Sequence, residues 1–317
     1  MPDSPAARET SGGVTLTPVE REICFHVGFR KAASSMLQMS FFSQHSQISN
    51  VGKGVPTRSR PFYEYLMWTQ YADYDPEEAL RLWQETVEPF IQDRPSVVFS
   101  HEHIAALIGV DQTLVAHRLK EIFPNGKIFL VIRNQFSLLA SYHTHDIVTK
   151  RYSGSFEQWI TSQFKDCHNN PVSNARFFEI IDLYDRLFGA ERVCALPFEI
   201  LNRSPGDFAA RLSKFLGVDA DESVRLITYS EKIKVRASRW TIMKQNRPWL
   251  DKLDRSLRPF VPTPVFGMVK SVSRLGRRSE PDVSGETEER LHAYYQVGNR
   301  RLAERLDLPL ERYGYPT

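Results

Sequence analysis

Residues 23 to 37 constrain this chain most, reading Ile-Cys-Phe-His-Val-Gly-Phe-Arg-Lys-Ala-Ala-Ser-Ser-Met-Leu. A run rich in β-formers stops at Gly28 and a short basic turn follows. Ser34 and Ser35 then open a segment whose apolar Leu37, Phe41 and Phe42 fall at helical spacing, so the pattern is strand, loop, helix. Backbone N–H groups at the start of a helix lack intrahelical partners and carry the positive end of the macrodipole, which makes such a turn receptive to anions. The two serines add hydroxyls and Lys31 adds a full charge. A triphosphate-binding loop runs G-x-x-x-x-G-K-[ST], with its lysine beside the magnesium-binding hydroxyl. Here Lys31 comes three residues after Gly28, and Ala33 stands where a glycine is expected. A lysine this early suits a phosphate-bearing donor that needs no metal; the alternative is an ordinary strand-to-helix turn with an incidental lysine.

The rest of the chain repeats the strand-then-helix order. Phe41 to Ile48 leads into a Gly/Lys/Pro/Arg loop over 52–61, where Lys53, Arg58 and Arg60 face either an anionic acceptor or solvent. An amphipathic helix is predicted over 76–90. A short strand over 95–100 delivers His101-Glu102-His103 at its carboxyl end, the end of an open parallel sheet where ligands bind and proton-transfer groups are useful. The alternative is that Glu102 caps a helix starting at Ile104 and the histidines are surface groups. A helix over 112–123 closes at Pro124-Asn125-Gly126, a strong turn signal. The apolar run Ile128 to Ile132 reads as a central parallel strand and ends in Arg133-Asn134-Gln135, with a helix following through Phe136 and Tyr142 that carries Ser141. An arginine at a strand tip and a serine two turns into the next helix can both meet one phosphate. Further helices are predicted over 155–165 and 174–188, then a strand over 193–196 and a helix over 208–216. This alternation implies right-handed crossovers and a parallel sheet with helices on both faces.

With 317 residues and 41 basic against 38 acidic side chains, the chain has the composition of a soluble globular protein. Cys24, Cys167 and Cys194 show no metal-like spacing, which argues for a reducing, cytoplasmic setting without a disulfide framework. Residues 1–18 are small and polar with no apolar core and read as a disordered leader to a single domain over 19–317.

Three stretches together resemble the sulfotransferases that use 3′-phosphoadenosine 5′-phosphosulfate (PAPS). Gly28-Phe-Arg-Lys-Ala-Ala-Ser-Ser-Met-Leu37 is similar to the family's 5′-phosphosulfate loop. Val131-Ile-Arg-Asn134 with Ser141 is similar to its 3′-phosphate motif, with Gln135 in place of the usual proline. Leu196 to Leu201 through Phe215 to Val218 resembles its Glu-x-Leu and Phe-Leu-Gly segments, and Tyr294 to Pro316 resembles the ending of many bacterial members. The resemblance implies a three-layer αβα fold with a central parallel sheet, like the P-loop nucleotide hydrolases. It implies donor contacts from Gly28, Arg30, Lys31, Ala33, Ser34, Ser35, Met36, Arg133 and Ser141, with Arg236 standing in for a missing Arg-Lys-Gly segment. It further implies Lys31 as the residue that neutralises the leaving oxygen, Glu102 as the first choice of base with His101 the runner-up, no metal requirement, and a carbohydrate or glycolipid acceptor. The rival readings are a magnesium-dependent kinase or nucleotide hydrolase on the same sheet, and a non-catalytic nucleotide- or glycan-binding scaffold.

Residues 231–278 hold thirteen basic and three acidic side chains interleaved with Trp240, Trp249, Phe260 and Phe266, which leaves the remainder of the chain net negative. Such a segment can lie on an anionic membrane, peripherally at an inner membrane surface, or bind an acidic glycan; the alternative is a lid over the donor phosphates. No nucleic-acid reader motif is present.

Overall fold

The computed structural model describes residues 22–53, 59–165, 169–229 and 283–317. The leader, Arg58, Cys167 and the basic segment 231–278 with Arg236 lie outside the described residues.

Five strands form one sheet in which every pairing is parallel: β1 (Cys24–Gly28), β2 (Ile48–Asn50), β3 (Ser96–Ser100), β4 (Lys127–Ile132) and β5 (Val193–Pro197), in the order β2-β3-β1-β4-β5. The first strand is therefore the middle one, with β3 and β4 on its two edges. Side chains alternate across a strand, and β1 shows it. Phe25 enters a buried aromatic cluster with Phe99 and Phe123, which Phe62 and Trp83 complete. His26 points the other way, against Phe42 and Phe129. Helices cover both faces. One packed group contains α2 (Arg60–Trp68), α3 (Pro76–Thr86), α4 (Gln112–Ile122) and α7 (Phe177–Phe188); the other contains the short α1 (Ser34–Met36) with its π-helical continuation Leu37–Phe42, and α8 (Phe198–Arg203), α9 (Pro205–Leu216) and α10 (Ala220–Tyr229). Two further helices, α5 (Gln135–Lys150) and α6 (Phe156–Lys165), follow β4, and the long α11 (Gly285–Leu306) packs on α6 and α7.

Where the structure departs from the sequence reading, the cause is local. The helix expected over 76–90 ends at Thr86, because Pro89 has no N–H to continue it, and a 3₁₀ turn takes over at Glu88–Phe90. No helix starts at Ile104: residues 101–110 form turns, so Glu102 caps nothing there. Strand β2 and helix α2 flank the loop predicted over 52–61 and carry no sequence expectation of their own. β2 has only three residues at a sheet edge, too few to show a period.

The carboxyl end of β4 is tied to the last described residues. Gln135 and Asn299, both buried, exchange amide hydrogen bonds of 2.8 and 3.2 Å, and Asn299 also donates to the Pro316 carbonyl at 2.7 Å. The Asn134 side chain donates to the Gly314 carbonyl, and the Glu199 carboxylate accepts from the Asn134 N–H and the Tyr315 hydroxyl, each at 3.0 Å. A buried polar group left without a partner costs about 1–3 kcal/mol. Asn299→Ala, which removes the donor to the buried Gln135 Oε1 and the Pro316 carbonyl, is therefore expected to cost about that much stability, read as a lower urea midpoint at unchanged m-value.

Candidate active site

The loop after β1 is held open by unusual backbone geometry. Phe29 N–H donates to the Val131 carbonyl of β4 at 3.0 Å, and Lys31 and Ala33 then adopt left-handed φ values of 64° and 68°. This turns the chain so that no backbone N–H from Lys31 to Ser35 finds a partner among the described residues. Ser34 is buried, its hydroxyl donating to the Phe29 carbonyl at 3.1 Å, so it braces the loop; Ser35 is exposed. Met36 is buried beneath the turn. Gly28 lets the next strand's loop come close, since a Cβ there would sit 3.2 Å from the Cβ of Ala105.

Arg133, only 5 % exposed, joins this loop to the tip of β4. Its Nη1 donates to the Lys31 carbonyl at 2.8 Å, its Nε donates to the Ser137 hydroxyl at 2.9 Å, and its guanidinium lies 4.9 Å from the centre of the Phe198 ring. Ser141, one turn further along α5, is half-buried, and its hydroxyl makes no hydrogen bond among the described residues. The two stretches singled out in the sequence thus meet by a direct hydrogen bond.

On the opposite edge of β1, the loop after β3 is pinned by His101 N–H to the His26 carbonyl (2.9 Å) and Ala105 N–H to the Val27 carbonyl (2.8 Å). Glu102 between them is 8 % exposed. Its Oε2 accepts from Gln38 Nε2 at 2.8 Å, its Oε1 pairs with the Lys53 ammonium, and Gln38 Nε2 also donates to Ser100 Oγ at 3.2 Å, which lies 2.7 Å from His26 Nδ1. Burial alone pushes the Glu102 carboxyl up, but the hydrogen bonds from Lys53 and Gln38 outweigh it and bring it down to about 2. The His101 ring stacks on Tyr63 with 3.5 Å between centres and its Nδ1 is buried without a partner; burial holds it neutral, at about 3. His103 is lowered to about 4 by burial and by the charge of Arg30.

Arg30 reaches across the opening, with Nη2 3.3 Å from His145 Nε2 of α5, and it forms no ion pair with a carboxylate among the described residues. Lys31 is half-buried; burial and then the neighbouring Arg30 charge lower its affinity for a proton, while Asp146 and Glu102 raise it. The mouth of the sheet is therefore a concentration of positive charge opposite one buried carboxylate, an arrangement that attracts a polyanion and can place a base beside it. Among the described residues, no cluster of His, Cys, Asp or Glu is grouped to hold a metal, and no helix is long and apolar enough to cross a membrane.

No protein-family model matches the chain, and no curated protein matches it. Among solved structures, a sulfotransferase from Alicyclobacillus acidocaldarius superposes with a TM-score of 0.58 over 93 % of this chain and 99 % of its own, at 17 % identity. The chain has the sulfotransferase fold. Two looser matches are the sulfotransferase domain of the Synechococcus PCC 7002 olefin synthase (TM-score 0.43, 13 % identity, 71 % of this chain and 85 % of that one) and mouse sulfotransferase SULT7A1 complexed with PAP (TM-score 0.43, 12 % identity, 81 % and 90 %). The expected parallel αβα sheet is thereby found.

Several residues of this sulfotransferase-fold site were not legible in the sequence. Ser137 lies four residues after Arg133, the spacing of neighbours on a helix face, and accepts from its Nε. Gln38 fell among apolar residues of a helix, and its contact with Glu102 spans 64 positions. The loop geometry itself is testable. A left-handed alanine costs about 1–2 kcal/mol, against roughly 0.5–1 kcal/mol of extra backbone entropy for glycine. Ala33→Gly is expected to raise the melting temperature by about 2 °C and leave the far-ultraviolet spectrum unchanged.

Proposed function

We propose that this protein is a sulfotransferase that moves a sulfuryl group from PAPS to an acceptor hydroxyl on a carbohydrate or glycolipid. The observation that carries the proposal is the hydrogen bond from the Arg133 guanidinium to the Lys31 carbonyl. It supports the reading by bringing the two loops into contact, as a nucleotide phosphorylated at both its 5′ and 3′ ends requires. In this reading the 5′ end of the donor lies on the N–H groups of the 31–35 turn, with Gly28, Arg30, Lys31, Ala33, Ser34, Ser35 and Met36 shaping or lining it. Ser35 offers the free hydroxyl. Arg133 and Ser141 take the 3′-phosphate, with Arg236 completing that end.

The acceptor oxygen bonds to sulfur as the bond from sulfur to the bridging oxygen breaks. The electron pair stays on that oxygen, and the acceptor proton passes to a base. Lys31 neutralises the growing charge on the bridging oxygen; a preorganised donor of this kind is worth about 2.7–4 kcal/mol of barrier. Glu102 is the better base of the two candidates. It is ionised at neutral pH and close enough to act electrostatically on Lys31, whereas His101 is packed flat on Tyr63. The basic segment 231–278 suits a glycolipid or acidic glycan presented at an anionic membrane.

Calorimetric titration with adenosine 3′,5′-bisphosphate (PAP) in the presence of EDTA, run beside transfer of labelled sulfate from PAPS to glycans, glycolipids, phenols and amines, tests this. Binding without metal and transfer to at least one hydroxyl acceptor are expected, with Lys31→Ala lowering the transfer rate about 10²–10³-fold. Magnesium-dependent binding of a nucleoside triphosphate in place of PAP would overturn the proposal in favour of a kinase or hydrolase. Tight PAP binding with no transfer to any acceptor would point to a scaffold.

A further inference from the structure

The best-organised polar chain in the protein is not in the donor loop. It runs from His26 through Ser100 and Gln38 to Glu102 and ends on Lys53, at 46 % side-chain exposure its only half-open member. The backbone holds Lys53 there by design. Beyond β2 the chain continues to pair with β3, through Val51 N–H to the Val98 carbonyl (3.0 Å) and Lys53 N–H to the Ser100 carbonyl (2.8 Å). Gly52 makes that approach possible, since a Cβ at this position would lie 2.2 Å from the Ser100 amide nitrogen. A side chain whose root is fixed two residues from Glu102 in the adjoining strand's register has little choice of partner.

The two oxygens of Glu102 are held differently. Oε2 is fixed from inside the fold by Gln38, whose amide nitrogen divides its two protons between Glu102 and Ser100. Oε1 is held by an ammonium on a flexible stem that reaches water. We propose that Lys53 is a positioning residue for the base of the transfer reaction: its ammonium orients the Glu102 carboxylate against Gln38 until an acceptor hydroxyl displaces it from Oε1. This rests on the sulfotransferase reading above. The acceptor then donates its O–H to the oxygen that Lys53 vacates, and that proton ends on Oε1 as the new bond to sulfur forms. Lys53 moves to solvent still protonated.

Other groups facing Glu102 do not substitute for Lys53. Lys31 from the β1 loop, His26 from β1, Tyr63 from α2, Tyr142 from α5 and the adjoining His101 and His103 all feel its charge. The three histidines are lowered to about 4, 3 and 4 and so are neutral partners near pH 7, and both tyrosines are raised and keep their protons. Among the described residues, only Lys53 forms an ion pair with the carboxylate. Its removal raises the Glu102 proton affinity, because burial is then opposed only by the Gln38 and backbone hydrogen bonds.

The test uses the full chain, saturated with PAP for the titration and free of it for the rate measurements. Carbon-13 NMR of glutamate carboxyls, with the Glu102 signal identified by its loss in Glu102→Gln, gives the titration midpoint in wild type, Lys53→Met and Lys53→Arg. Release of PAP from PAPS with water as the nucleophile gives the matching pH–rate profile. In Lys53→Met the midpoint and the acid limb of kcat are both expected to move up by at least one pH unit, with the KM for PAPS within twofold of wild type. Lys53→Arg is expected to restore both. A midpoint that stays put in a Lys53→Met protein with wild-type melting temperature and PAP affinity overturns the inference, as does a rate loss by one factor at every pH. If Lys53→Met fails to fold, Lys53→Gln is read against the same two criteria. Loss of PAP binding by the wild type would instead sink the sulfotransferase reading, while the carboxyl titration could still be recorded without the nucleotide.

Discussion

A strand paired in parallel on both edges has its carboxyl end flanked by two others, and whatever its neighbours carry past their last residue must converge on it. β1 occupies that place, between β3 and β4. Lys31, Glu102 and Arg133 are separated by about 70 and 30 positions in sequence, yet each follows directly from one of these three adjacent strands. The sheet order is the constraint on which the candidate site depends. It also makes the site hard to remove by a surface change, since its spacing is that of strand neighbours, roughly 4.8 Å apart, and is fixed by a fully buried core.

Charge is distributed around that point in an uneven way. The β1 loop contributes Arg30 and Lys31, which form no ion pair with a carboxylate among the described residues, while the β3 loop contributes one carboxylate that is over-satisfied by Gln38 and Lys53. Uncompensated cations in a partly desolvated mouth are costly to the free protein, and a polyanionic ligand relieves that cost. The acidic side of the mouth is the reverse case, stable as it stands and in need of a partner exchange before it can accept a proton.

The sequence showed the half of this arrangement built by the β1 loop and the tip of β4 far better than the half built by the β3 loop, for physical reasons. A turn that exposes backbone N–H groups must be built locally, so Gly28, Lys31, Ser34 and Ser35 sit within eight positions and form a readable word. The Arg133 turn is equally local, with Asn134 capping α5 through the Ser137 N–H. Glu102 was visible as a titratable group at a strand end, but its partners come from a π-helical turn and from the extension of a three-residue edge strand. Their contact is decided by parallel register across β2 and β3, which leaves no trace in local composition. Ser137, which accepts from Arg133 within the protein, and the predicted Ser141 lie four and eight residues after Arg133 and share a face, so sequence spacing alone did not single out the first. Ser34 shows the same limit: its hydroxyl looks available in sequence, and the fold commits it to the Phe29 carbonyl.

The amide exchange between Gln135 and Asn299 bridges 164 positions, and the Asn134 contact with Gly314 bridges 180. Loop-closure entropy must be met before contacts of this sequence separation reward it. The chain can thus complete its sheet, core and leading turn while the tip of β4 is still unsecured. Securing the tip of β4 therefore depends on the docking of α11 and the residues after it, through contacts separate from those of the interior.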